Sequence, residues 1–87
     1  MKDNSRISLE YILNEYRNVG KHMYVPFPSE RDAVECDILV QNCNKYLENS
    51  QNHKNYNYIC MVDYIKRDAE KTVDMYVEQN YMYGRCT

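Results

Sequence analysis

The residues with the greatest capacity for chemistry in this 87-residue chain are four cysteines and two histidines. No Cys-x-x-Cys pair occurs, and no cysteine and histidine stand at the spacing of a zinc site. His22 and His53 fall in predicted loops, and no second group at a fixed spacing would hold either ring as a base or a metal ligand. We therefore expect solvent-exposed histidines, no catalytic residue, no metal and no cofactor.

The sequence also lacks a nucleophile motif, a Walker loop and a glycine-rich fingerprint. Only two glycines are present, so a loop that cradles phosphate would be difficult to build. The chain is accordingly predicted not to be an enzyme.

Three of the cysteines lie at positions that favour packing over reactivity. Cys36, Cys43 and Cys60 fall on predicted helix faces and are expected to be small core residues. A Cys43–Cys60 disulfide between neighbouring helices is the alternative. Cys86 lies in the tail and is expected to be exposed.

Three helices are predicted to position these residues, over 9–19, 30–48 and 57–83. Apolar residues recur at intervals of three and four in each segment. Ser8 is a predicted N-cap, and Ser29 with Asp32 is a predicted capping box. Gly20 is expected to end the first helix in the left-handed conformation, and Gly84 to stop the third.

Two segments leave the choice between helix and strand open. Residues 56–62 also show a strand-like alternation, and a short strand over 22–25 is an alternative to an irregular loop. Pro26 and Pro28 exclude a helix between residues 20 and 29.

The expected fold class is all-α, a small three-helix bundle with a long C-terminal helix and one domain over 1–87. A turn centred near residue 52 pairs positions of the second and third helices that sum to roughly 104. This register places Cys43 beside Cys60 or Met61. It also leaves the third helix without a helix-2 partner beyond about Asp74.

Composition narrows the range of functions. The formal net charge is −2, from 11 basic and 13 acidic residues, so no strong field favours nucleic acid or an anionic membrane. The chain shows no signal peptide and no membrane-spanning run, which predicts a cytoplasmic protein, with a mature secreted domain as the alternative. Abundant Asn, Tyr, Lys and Ile with scarce Gly and Ala suggest a viral or phage accessory protein acting in a host cytoplasm.

Two surfaces are candidates for binding. The part of the third helix beyond its neighbour is rich in tyrosine and methionine, residue types that favour partner contacts unless the first helix covers them. The loop before the second helix could bind an anion or a nucleotide at the helix N-terminus, unless its aromatic rings plug the end of the bundle. The first surface comprises Met75, Tyr76, Tyr81, Met82 and Tyr83, and the second comprises Lys21, His22, Tyr24, Phe27, Ser29 and Arg31.

The predicted function is that of a small helical protein-interaction module that inhibits or redirects a host protein. A nucleotide or nucleic-acid binding protein and a self-assembling subunit are the alternatives. A protein partner is expected, either a different protein or a second copy in a homodimer.

Overall fold

The computed structural model describes residues 7–49 and 53–85, and the side chains of residues 7–49 and 53–80. Within these residues the fold is all-α, with helices α1 (Leu9–Val19), α2 (Glu30–Glu48) and α3 (Tyr56–Arg85) and a 3-10 helix over Gly20–His22. No strand occurs among the described residues. The predicted class and helix order are therefore confirmed, as are the bounds of α1 and α2.

Each of the three α-helices begins at a side-chain cap. The Ser8 hydroxyl accepts the backbone N–H of Tyr11 at 3.1 Å. Ser29 and Asp32 form a full capping box at the start of α2. The side-chain oxygen of Asn55 accepts two backbone N–H groups in the first turn of α3. These bonds pair N–H groups that would otherwise have no partner within the helix.

The core lies mainly between α2 and α3, with α1 packed across them. Leu39, Val62 and Ile65 are at most 1% exposed. The face of α1 that includes Ile12 packs into the same cluster. Two polar contacts fasten the flanks of α1: Asn42 donates to Glu15 at 2.7 Å, and Tyr16 donates to Asp68 at 3.1 Å.

Helix α3 is longer than predicted at both ends. It starts at Tyr56, so residues 56–62 are helical and the strand alternative is wrong. It also continues through Gly84 to Arg85, because a glycine weakens a helix without being required to end it. At 30 residues the helix is about 45 Å long.

The predicted helix end at Gly20 is also wrong in its conformation. Gly20 has φ −53° and ψ −35°, which are right-handed helical angles, and its carbonyl accepts the N–H of Met23 at 3.1 Å. The chain therefore tightens from α1 into a 3-10 turn, and neither the left-handed cap nor the strand over 22–25 forms.

The burial of α3 residues differs from what the predicted pairing of α2 with α3 implied. Cys43 is fully buried, whereas Cys60 is exposed and Met61 is 41% exposed. The α3 residues buried in the same core are Val62, Ile65 and Ala69. Cys60 is thus not a core residue, and both Cys43 and Cys60 are free cysteines without the alternative disulfide. Tyr58 and Val77 belong to the apolar residues that recur at intervals of three and four in this segment, yet they are 42% and 57% exposed.

Candidate interaction surface

The loop between the 3-10 helix and α2 lies along α3. The Thr72 hydroxyl donates to the carbonyl of Met23 at 2.7 Å in a buried position. Seven residues further along α3, the amide of Gln79 donates to the carbonyl of Pro28 at 3.0 Å. Since both segments advance in the same direction, the loop runs parallel to α3 over about 10 Å of helix.

This arrangement partly covers the segment predicted to extend beyond α2. The side chains of Met23 and Pro28 are buried. Covering by helix α1 was the expected alternative; the hydrogen bond that Gln79 makes on this part of α3 goes to the loop. The loop therefore has an ordered backbone, fastened near each end by a side chain of α3.

The aromatic residues of the loop point outward. Phe27 is 75% exposed and Tyr24 is 69% exposed. The alternative in which these rings plug the end of the bundle is therefore wrong: Met23 and Pro28 take the inward positions instead.

Tyr24 belongs to a hydrogen-bonded cluster that joins three elements. Its hydroxyl donates to Oδ2 of Asp68 on α3, and the hydroxyl of Tyr16 on α1 donates to the same oxygen at 3.1 Å. The two hydroxyl oxygens are 3.4 Å apart. Each hydroxyl has one proton and gives it to the carboxylate, so the tyrosines meet through Asp68 rather than through each other. The bond to Asp68 raises the pKa of Tyr24 well above its usual range.

More exposed apolar groups lie on the same side of the bundle. Tyr64 lies one turn before Asp68 and is 64% exposed. Met75, one turn before the loop contact at Gln79, is 40% exposed. We call this side of the protein the aromatic surface; it comprises Tyr16, Tyr24, Phe27, Tyr64 and Met75.

The residues predicted to bind a partner on α3 are only partly described. Met75 lies on the aromatic surface, and Tyr76 is half-buried. Tyr81, Met82 and Tyr83 lie in the last turns of α3, but their side chains are outside the described residues, as is the whole of Cys86.

Residues of the predicted anion site contact two different carboxylates, those of Asp32 and Asp68. Nδ1 of His22 lies 2.5 Å from Oδ1 of Asp32, and both side chains are largely shielded, so the expectation of a solvent-exposed His22 is wrong. Oδ2 of Asp32 accepts the N–H of Ser29 at 2.8 Å, while the Ser29 hydroxyl accepts the N–H of Asp32. The Ser29 N–H, followed by His22, lowers the pKa of Asp32. Tyr24 contacts Asp68 instead of this group.

The charge at this end of α2 disfavours a bound anion. The Asp32 carboxylate already complements the positive end of the helix, and it would repel a phosphate placed there. Lys21 and Arg31 are exposed, as is Phe27. The structure therefore brings His22 and Ser29 together at Asp32, but it does not assemble the six predicted residues into one cradle.

The remaining reactive side chains are separated. Cys36 and Cys43 are buried, and burial raises the pKa of the Cys43 thiol to about 12. His53 is exposed, with Nε2 2.6 Å from the carbonyl of Leu47. The described part of the chain contains no cluster of three potential metal ligands.

The contacts of Tyr16 and Tyr24 with Asp68 had no local signal in the sequence, although Tyr24, Phe27 and Met75 were each predicted to bind a ligand or partner. Tyr16 fits the apolar face of α1, and Asp68 alone resembles any solvated acid. Their contact joins residues 52 positions apart, and that of Tyr24 with Asp68 joins residues 44 positions apart.

Comparison of the chain with models of protein families, with curated protein sequences and with solved structures finds no significant match. None of the helices, as far as they are described, has the length and apolar character needed to cross a bilayer.

Proposed function

We propose that the protein is an interaction module that binds a partner protein through the aromatic surface. The observation that carries this proposal is the outward position of Tyr24 and Phe27 on a loop whose backbone is fastened to α3 by Thr72 and Gln79. Aromatic side chains bury a large area for few rotatable bonds, and they are enriched where proteins bind each other.

The fastening of the loop favours binding because it lowers the entropic cost. A mobile loop must be ordered when a partner binds, whereas this loop is already held at both ends. Burying one fully exposed large apolar side chain contributes roughly 1.5–3 kcal/mol before the entropic cost of association is subtracted, so the exposed rings supply a main apolar contribution to the complex. The mechanism we propose is steric: the bound partner loses access to the surface that the rings cover.

The nucleotide alternative has less support. Exposed Tyr24 and Phe27 could stack on a base. However, the carboxylates of Asp32 and Asp68 lie on either side of the loop and would repel the phosphates. The geometry thus favours a protein over a polyanion.

The proposal can be tested by site-specific photo-cross-linking in an extract of the source cells. A photoreactive phenylalanine analogue is placed at Phe27, and the matched control carries it at Tyr56, which is equally exposed at 75% but lies in the first turn of α3. We expect a discrete adduct from position 27 and none from position 56. Equal adducts from both positions would show that exposure alone, and not the aromatic surface, determines the contact.

The same samples distinguish a second copy from a different protein. The mass of the adduct identifies a homodimer directly, and light scattering with and without reductant gives the state of the free chain. A homodimer joined through position 27 would make the chain a self-assembling subunit in place of a module for another protein.

A further inference from the structure

The carboxylate of Asp68 lies at the centre of the aromatic surface without a cationic partner. Its Oδ2 accepts both tyrosine hydroxyls, which leaves Oδ1 available. Within residues 7–49 and 53–80, the ion pairs are His22 with Asp32 and Arg67 with Asp63, and neither includes Asp68. A partly buried negative charge is therefore held in place by neutral donors alone.

The tyrosine rings beside this carboxylate attract a cation. The faces of tyrosine rings carry negative potential, and Tyr24 and Tyr64 expose most of their surface beside Asp68. Tyr64 lies one turn before Asp68 on the same face of α3. A carboxylate among aromatic rings matches a guanidinium group, which pairs with the acid through its N–H groups and stacks on a ring through its plane.

We propose that the partner inserts an arginine side chain into this cluster, where the guanidinium pairs with Oδ1 of Asp68 and stacks on Tyr24 or Tyr64. The inference rests on the proposed function and specifies the chemistry of the partner. Phe27 and Met75 extend the surface along α3 beyond the carboxylate. The arginine is therefore flanked in the partner by apolar residues that cover these two side chains.

Arginine fits the cluster better than lysine. The two tyrosine hydroxyls already occupy Oδ2, so a cation gains one carboxylate oxygen and depends on the rings for the rest of its contact. A planar guanidinium is more weakly hydrated than an ammonium and stacks on aromatic faces, so it loses less on leaving water.

The experiment is an NMR titration of the full chain with N-acetyl-arginine methylamide. The matched probe is the citrulline compound, which has nearly the same shape and no charge. We expect saturable shifts of the Tyr24 and Tyr64 ring signals with the arginine probe and none with the citrulline probe. Shifts of equal size with both probes, or none with either, would overturn the inference.

Two variants separate the charge of Asp68 from its role in the fold. Asp68→Asn keeps an oxygen for the tyrosine hydroxyls and removes the charge, so we expect about tenfold weaker binding of the arginine probe. Asp74→Asn removes an exposed carboxylate from the same helix and should leave binding unchanged. Equal weakening by both variants would show a general charge effect and reject the site. An unfolding curve confirms that each variant is folded.

The results also separate this inference from the proposed function. If a specific adduct forms at position 27 but the arginine probe does not bind, the proposed interaction module is retained and the arginine site is rejected. If no adduct forms at position 27 but the arginine probe binds specifically, the arginine site is retained and the proposed contact with a partner protein is rejected. A homodimer that dissociates in Asp68→Asn would assign the bound cation to a second copy of the chain, which overturns the partner proposed here.

Discussion

The bond from Thr72 to Met23 is the most direct test of how the loop is held. Thr72 is 1% exposed, and its hydroxyl donates to the Met23 carbonyl at 2.7 Å. In Thr72→Val a methyl group of similar size replaces the hydroxyl, so the packing is retained while the donor is lost. The carbonyl of Met23 is then left without its partner in a place that water reaches poorly.

The expected cost follows from this geometry. Leaving a buried polar group unpaired costs about 1–3 kcal/mol, which exceeds the net contribution of an average hydrogen bond. For a domain of this size each kcal/mol lowers the melting temperature by about 4–8 °C. We therefore expect Thr72→Val to unfold at a clearly lower temperature and denaturant concentration, as measured by circular dichroism.

The matched control is Thr72→Ser, which keeps the hydroxyl and removes one methyl group. Loss of a buried methyl group costs on the order of 1 kcal/mol, so this variant should be the more stable of the two. The reasoning would be refuted if the valine variant matched the wild-type chain, or if serine were more destabilising than valine. Either result would show that packing, and not the hydrogen bond, holds the loop on α3.

Four further predictions concern the rest of the fold. Gly20→Ala should stabilise the protein by about 0.4–1 kcal/mol in denaturation, because Gly20 has helical angles and an added Cβ meets nothing within 4 Å; destabilisation would mean that the glycine is needed there. Ser29→Ala should lower the free energy of unfolding by about 1 kcal/mol in a denaturant titration, because the α2 cap is lost; an unchanged stability would contradict this role. Folding lowers the pKa of Asp32 below its unfolded value of about 3.9. The ionised carboxylate therefore stabilises the fold above that pH, and this stabilisation is lost as the pH falls through the lower folded pKa. Asp32→Asn should flatten this acid dependence in a pH series of unfolding curves. A thiol reagent should label Cys60 in the folded protein and Cys43 only after unfolding, as mass spectrometry of the labelled peptides can show, and early labelling of Cys43 would contradict its burial.

The local features of the sequence predicted the helices well. The bounds of α1 and α2 match because Ser8 and Ser29 are strong caps and the apolar spacing between cap and end is regular. Local sequence signals were less reliable at glycine, which can adopt several backbone conformations. Gly20 tolerates both hands of helix, and the chain takes the right-handed one in order to form the 3-10 turn.

The candidate site was much harder to predict, since it depends on contacts that are distant in sequence. The sequence indicated that Tyr24 and Phe27 belong to a binding loop, but it gave no reason to place that loop against α3. The contacts that do so join Thr72 and Gln79 to residues 49 and 51 positions away. The periodicity of apolar residues predicts each helix separately, and it does not predict how one helix is aligned with another element.

The long distance in sequence between the loop and its contacts on α3 has a consequence for folding kinetics. The hairpin of α2 and α3 closes over a short connection, whereas the loop can dock only after α3 has been brought back alongside it. Docking at Thr72 is therefore expected to follow the rate-limiting step. A weakened attachment should then accelerate unfolding and leave the refolding rate nearly unchanged. The face that we propose for binding would be the last part of the molecule to form and the first to open.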